Sequence, residues 1–147
     1  MKEELPLIII VCTGNSCRSQ MAHAFLERAL DGRARVESAG SAPAGYVHPL
    51  AIRVMAEQGY DLSEAKSQHV NEFHVDEKSV VVTVCDNARE DCPCLSTAVC
   101  YHWEFDDPAR VEGTEAEELS AFRRIRDQIK EVFLSRLDQL ILRREAI

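Results

Sequence analysis

Six cysteines stand in this chain of 147 residues, at positions 12, 17, 85, 92, 94 and 100. The first two lie in Cys12-Thr13-Gly14-Asn15-Ser16-Cys17-Arg18-Ser19. A loop between a strand end and a helix start turns backbone N–H groups toward whatever sits at its centre. A cysteine placed there has its thiolate favoured by the helix dipole and by those donors. Arg18 adds a planar fork able to grip two oxygens of a tetrahedral oxyanion. Gly14 lets the backbone come close. The lysine and hydroxyl of a nucleotide-binding P-loop are missing, which excludes an NTPase. The bare spacing of Cys12 and Arg18 is a weak signal, and the placement of the loop is what gives it weight.

The second cluster runs from Cys85 through Cys92 and Cys94 to Cys100. Cys85 and Cys92 are two helical turns apart, ~10 Å along a regular helix. A disulfide needs Cα atoms within ~7 Å, so these two can pair only if the segment changes shape. The segment 85–100 is therefore expected to be the mobile part of the molecule. It is polar at Asp86, Asn87, Arg89, Glu90 and Asp91, and Pro93 cannot extend a helix ladder from its own nitrogen. A zinc site from Cys85, Cys92, Cys94 and Cys100 is an alternative, although Cys-Pro-Cys is a poor zinc knuckle. Buried structural thiols are another. Further on, Asp106-Asp107-Pro108 follows His102-Trp103-Glu104-Phe105. An acid held there could serve as general acid or proton relay, while Asp-Pro alone is a common turn.

The elements that must position these groups follow from patterning. Leu5–Val11 is an apolar, β-branched run with no polar alternation, read as a strand buried on both faces. Arg35–Ala39, Val80–Val84 and Cys100–Phe105 read as three more strands. Helical spacing marks Arg18–Leu30, Pro49–Tyr60 and one long amphipathic helix over Glu115–Arg143. Strands alternating with helices indicate a parallel α/β sheet covered on both faces, with ligands at the strand carboxyl ends. Both cysteine clusters begin where a strand ends.

Composition narrows the class. The length fits one domain, residues 1–147. The chain carries 25 acidic against 17 basic residues, a net charge of −8. That argues against general binding to nucleic acid or anionic membranes. No apolar stretch approaches the ~20 residues of a membrane span. No signal-like cleavage pattern follows the first residues, so a cytoplasmic location is expected, where six cysteines point to catalysis, redox chemistry or metal.

Taken together, the Cys-Thr-Gly-Asn-Ser-Cys-Arg-Ser-Gln-Met-Ala run at 12–22, Glu37-Ser38-Ala39-Gly40, the pair Cys85 and Cys92, and His102-Trp103 with Asp106-Asp107-Pro108 resemble a known family. It is the thioredoxin-coupled arsenate reductases of the low-molecular-weight protein tyrosine phosphatase superfamily. The resemblance spans nearly the whole chain. It implies a four-stranded parallel sheet flanked by helices, a flavodoxin-like three-layer sandwich, with the anion loop formed by Cys12, Thr13, Gly14, Asn15, Ser16, Cys17 and Arg18. It implies Cys12 as nucleophile, Arg18 as oxyanion clamp, Ser19 as hydrogen-bond partner of the thiolate, Asn15 as shaper of the loop, and Asp107 as the acid.

Where phosphatases of this fold carry aromatics after Asp-Pro, this chain has Ala109-Arg110, and it has the paired cysteines they lack. The resemblance thus implies arsenate reduction, with phosphate and sulfate as substrate analogues. Cys12 attacks arsenate, Cys85 attacks Cys12 as arsenite leaves, and Cys92 forms the final disulfide with Cys85. Thioredoxin, or alternatively glutaredoxin, is the external reductant, with no bound cofactor and no metal. Some members hold potassium near the loop through acids; this chain has His23 and Gln68 at those places. Cys94 and Cys100 match no motif. The rivals are a phosphatase using Cys12, Arg18 and Asp107, and a non-enzymatic thiol redox or zinc-binding module.

Overall fold

The structure, a computed structural model, describes residues 5–85 and 99–145. In chain order they form β1 (Leu7–Cys12), α1 (Arg18–Leu30), β2 (Arg35–Gly40), α2 (Pro49–Ala56), β3 (Val80–Thr83), β4 (Val99–His102), α3 (Glu115–Ser135) and α4 (Leu137–Glu145). Short 3-10 turns occupy Val70–Glu72 and Pro108–Arg110. The strands form one parallel sheet in the order β2-β1-β3-β4. Among the described residues no helix is long and apolar enough to cross a membrane.

All six residues of β1 are buried. Successive side chains point to opposite faces, so the sheet is covered on both sides there, as the unbroken isoleucine run requires. Ile9 pairs with Glu37 of β2 on one side and Val81 of β3 on the other. The chain leaves β1 toward β2 and returns to β3 on the opposite side. The strand order therefore reverses between β1 and β3, the switch point where a doubly wound sheet opens a crevice at its carboxyl end. Cys12 ends β1, and Cys85 lies just past β3. The Val84 N–H donates to the Val11 carbonyl at 3.0 Å, holding the two exits together.

Several boundaries differ from the sequence reading. β4 is Val99–His102 rather than Cys100–Phe105. α2 stops at Ala56, where the Tyr60 N–H returns to the Met55 carbonyl and Gly59 takes φ +84°. The expected single helix over Glu115–Arg143 is two. α3 begins with a reciprocal cap in which Thr114 Oγ1 accepts from the Glu117 N–H at 3.2 Å. The Glu117 carboxylate in turn accepts from the Thr114 N–H. α3 buries Leu119, Phe122, Ile125, Ile129 and Phe133, and breaks at Arg136, whose φ of −119° is not helical. Beyond the break α4 brings Leu140 back into the core, and the Tyr101 hydroxyl donates to the Gln139 carbonyl. The apolar periodicity runs on through this bend, which is why spacing alone does not reveal it.

Candidate active site

The backbone of residues 12–18 is turned inside out by its neighbours. Its carbonyls are taken from outside. The N–H groups of Ser41, Ala42, Ala44 and His48 donate to the carbonyls of Cys12, Thr13, Gly14 and Ser16 at 2.8–3.3 Å. The Ser67 hydroxyl donates to the Gly14 carbonyl and Gln20 Nε2 to that of Asn15. A segment that spends its carbonyls outward presents its N–H groups inward. Among the described residues the N–H groups of Gly14, Ser16 and Cys17 have no protein acceptor. Asn15 adopts φ +46°, which asparagine tolerates better than most residues. Gly40 has no alternative, because a Cβ there would collide with the Thr13 carbonyl and press on the Asn15 nitrogen.

At the centre of this loop is Cys12, buried and free. Its sulfur lies 3.2 Å from the Asn15 N–H and 2.9 Å from the Ser19 hydroxyl. The direction of the second bond can be fixed. The Gln68 N–H donates to Asn15 Oδ1 at 2.8 Å, so Asn15 presents Nδ2 to Ser19 Oγ, also at 2.8 Å. Ser19 Oγ therefore accepts from Asn15, and its own proton is directed at the Cys12 sulfur. Asn15 and Ser19, both expected at the loop, stand in this chain of bonds. Gln20, Ser67 and Gln68 carry no such mark in the sequence, since bonds to or from backbone atoms leave little signature in residue type.

Arg18 opens α1 and points its guanidinium across the loop. Nη1 donates to the Phe105 carbonyl at 3.0 Å, and Nη2 lies 3.7 Å from Asp107 Oδ2. Its Nε is buried and, among the described residues, has no partner. An orphaned buried donor costs free energy unless something accepts from it, and it lies beside a loop of inward N–H groups. The donor set suits a tetrahedral oxyanion. Asp107 caps the Pro108–Arg110 turn, its Oδ1 accepting from the Ala109 N–H at 2.9 Å.

The second thiol is brought to the loop from β3. Cys85 is buried, with its sulfur 3.2 Å from Thr13 Oγ1. Thr13, Gly14, Arg18, Cys85 and Asp107 all border one cavity of about 480 Å³. A second cavity of about 520 Å³, beside Gln20, His23 and Tyr60, has no cysteine among its described lining residues.

Cys17 differs from both. Burial first, then the negative charges of Asp107 and Cys12, push its thiol up to about 12. It precedes α1 without capping it by a side-chain hydrogen bond. Its backbone belongs to the anion loop, while its sulfur is held in the inert protonated form. Cys100 lies exposed on β4 and is disulfide-bonded. Cys92, Cys94 and most of the segment expected to change shape fall outside the described residues. His23 bridges Ser38 Oγ at 3.0 Å and Glu27 Oε2 at 3.1 Å, and Gln68 serves Asn15.

Comparison with known proteins agrees with this geometry. Residues 7–145 match the family model for low molecular weight phosphotyrosine protein phosphatase. An arsenate reductase of Halalkalibacterium halodurans is 43% identical over 124 residues, covering 84% of this chain and 88% of that protein. A solved structure described as an arsenate reductase in the phosphate binding state superposes with a TM-score of 0.73 at 30% identity, covering 92% of this chain and 99% of that one. A thioredoxin-dependent arsenate reductase of Corynebacterium glutamicum superposes with a TM-score of 0.63 at 25% identity, over 92% of this chain and 63% of that one.

Proposed function

The chain belongs to the low molecular weight phosphotyrosine protein phosphatase family, beside its arsenate reductases, and we propose that it reduces arsenate to arsenite through a relay of cysteines. The observation that carries this reading is a second cysteine sulfur at the anion loop, Cys85 against Thr13. A phosphatase needs one nucleophile; a thiol relay needs another within reach of the first.

The steps follow from the residues. Arsenate binds in the loop, its oxygens taking the inward N–H groups and the Arg18 guanidinium. The Cys12 thiolate attacks arsenic and displaces one oxygen as water, with Asp107 placed to supply a proton. The Cys85 thiolate then attacks the Cys12 sulfur. A Cys12–Cys85 disulfide forms, the sulfur–arsenic bond breaks, and its electron pair stays on arsenic, which leaves as arsenite. Cys92 attacks Cys85, releasing Cys12 as thiolate and leaving a Cys85–Cys92 disulfide. An external dithiol restores the enzyme; thioredoxin is the reductant proposed, supported by the name of the Corynebacterium neighbour. Such exchange requires a reducing compartment, which fits a cytoplasmic protein without a bound cofactor.

Fully reduced protein mixed with arsenate is expected to release about one equivalent of arsenite without added reductant, as the relay's stoichiometry demands. Adding thioredoxin, its reductase and NADPH should give steady turnover. Absence of arsenite from the reduced protein overturns the reading. The phosphatase alternative is separated by Cys85→Ser, which should stop arsenite release and leave any phosphomonoester hydrolysis intact.

A further inference from the structure

We propose that Arg110 is a cation that captures the oxyanion at the mouth of the active-site cavity, before Arg18 holds it at the nucleophile. This rests on the oxyanion site described above. The cavity is bordered by Arg18 and Arg110 and by the carboxylates of Glu104, Asp106 and Asp107. Asp106 and Asp107, at the entrance of a molecule with net charge −8, repel an arriving dianion. Arg18 cannot offset this from where it sits. Its side chain is 12% exposed and tied to the Phe105 carbonyl.

Arg110 is placed differently. Its side chain is 82% exposed, and its Nε lies 3.8 Å from Asp107 Oδ2, longer than a hydrogen bond. A solvated ion pair of that length is weak and easily exchanged. The backbone beneath it is firm. Pro108 starts the turn, Asp107 Oδ1 caps it, and the Arg110 N–H returns to the Asp107 carbonyl at 3.2 Å. The guanidinium therefore swings from a fixed base beside the cavity. Asp107 Oδ2 lies 3.7 Å from Arg18 Nη2 and 3.8 Å from Arg110 Nε, so the two forks border one point. A dianion entering there offers each of them a more strongly charged partner than the shared carboxylate. The ligand selected is a small tetrahedral dianion, for which the long-range attraction of Arg110 adds to affinity and capture rate.

The test uses inorganic phosphate as the probe and needs no turnover. Phosphate affinity is read from protection of Cys12 against iodoacetamide in the reduced full-length protein, over a salt series. Arg110→Ala is expected to weaken phosphate about fivefold at low salt, with the gap closing as salt screens exposed charge. Arg110→Lys, which keeps the charge, should stay within about twofold of the wild type. In arsenate turnover the alanine variant should raise KM and leave kcat unchanged. Equal phosphate affinity in Arg110→Ala and wild type at low salt overturns the proposal. So does a deficit that persists unchanged at high salt, or no protection in any variant. A fall in kcat at constant KM also overturns it, because Arg110 would then be acting through Asp107. Failure of arsenite release, with the phosphate results as expected, counts against the arsenate reading alone.

Discussion

Two regions of the molecule bury polar groups and treat them in opposite ways. Where α2 meets α3, Arg126 is 7% exposed. Its Nη1 donates to the Val54 carbonyl at 3.0 Å and to Glu57 at 2.8 Å, and its Nε donates to Asp127 at 2.8 Å. Arg123 grips the same Glu57 with two nitrogens. The charges that meet there are matched. In the anion loop the carbonyls are matched, while among the described residues the N–H groups of Gly14, Ser16 and Cys17 and Arg18 Nε are not. A matched buried network holds two helices together. A network completed on one side only stores binding capacity for a ligand that supplies the other side. Substitutions should therefore sort by region, those at the loop reducing activity and those at the helix contact reducing stability.

The largest effect is expected for Cys12→Ser. A serine hydroxyl is far less ionised than a thiol in the same cradle, so arsenite release should fall by at least about a thousandfold. Its melting temperature should stay within about 3 °C of wild type, a shift worth under 1 kcal/mol at this size. Arg18→Lys should lower kcat/KM about a hundredfold, because a point charge cannot reproduce the planar fork. Steady-state kinetics beside thermal melts would check both, and a large loss of stability in either variant would break the division between regions.

At the helix contact the order reverses. Arg126→Ala leaves Glu57 and the Val54 carbonyl short of a donor, and should cost about 2–3 kcal/mol in urea unfolding with kcat unchanged. Glu57→Gln is milder. The hydrogen bond from Arg123, with that from Arg126, lowers the Glu57 carboxyl from 4.5 to about 2. Its folded value lies below its unfolded one, so its contribution is fully present above pH 4.5 and is lost as pH falls toward 2. The side chain is 33% exposed. With solvent screening, about 1 kcal/mol should separate wild type from Glu57→Gln at pH 7. That gap should shrink on acid titration; a gap that widens on acidification would contradict the pairing.

The smallest effect sharpens the contrast inside the loop itself. Cys17→Ala should leave arsenite release within about twofold, since the residue contributes backbone and not sulfur chemistry. Iodoacetamide at pH 8 should label Cys12 before Cys17, whose thiol stays protonated with its value near 12.

Much of this was legible from residue types. The isoleucine run of β1, the 3.6-residue spacing of α1 and the motif between them mark the loop, its nucleophile and its arginine. The strand endings alone bring Cys12 and Cys85 to one edge of the sheet. Other features depend on groups that residue type does not encode. The hold of residues 41–48 on the loop runs through backbone N–H groups, and Gly40 matters because a carbonyl passes where its Cβ would be. The inertness of Cys17 comes from burial beside Asp107 and Cys12, which spacing does not reveal. The bend at Arg136 is hidden because Phe133 and Leu140 keep helical spacing across it, while Trp103 lies beneath the Arg136 guanidinium.

The central claim is that Cys85 takes over from Cys12 at the same loop. It is tested most directly by trapping that intermediate. Reduced Cys92→Ser protein, treated with arsenate and quenched with an alkylating agent, is mapped by peptide mass spectrometry. The account predicts one equivalent of arsenite and a Cys12–Cys85 disulfide, with Cys17 in its thiol form. Arsenite released with Cys12 and Cys85 both still alkylatable would contradict it.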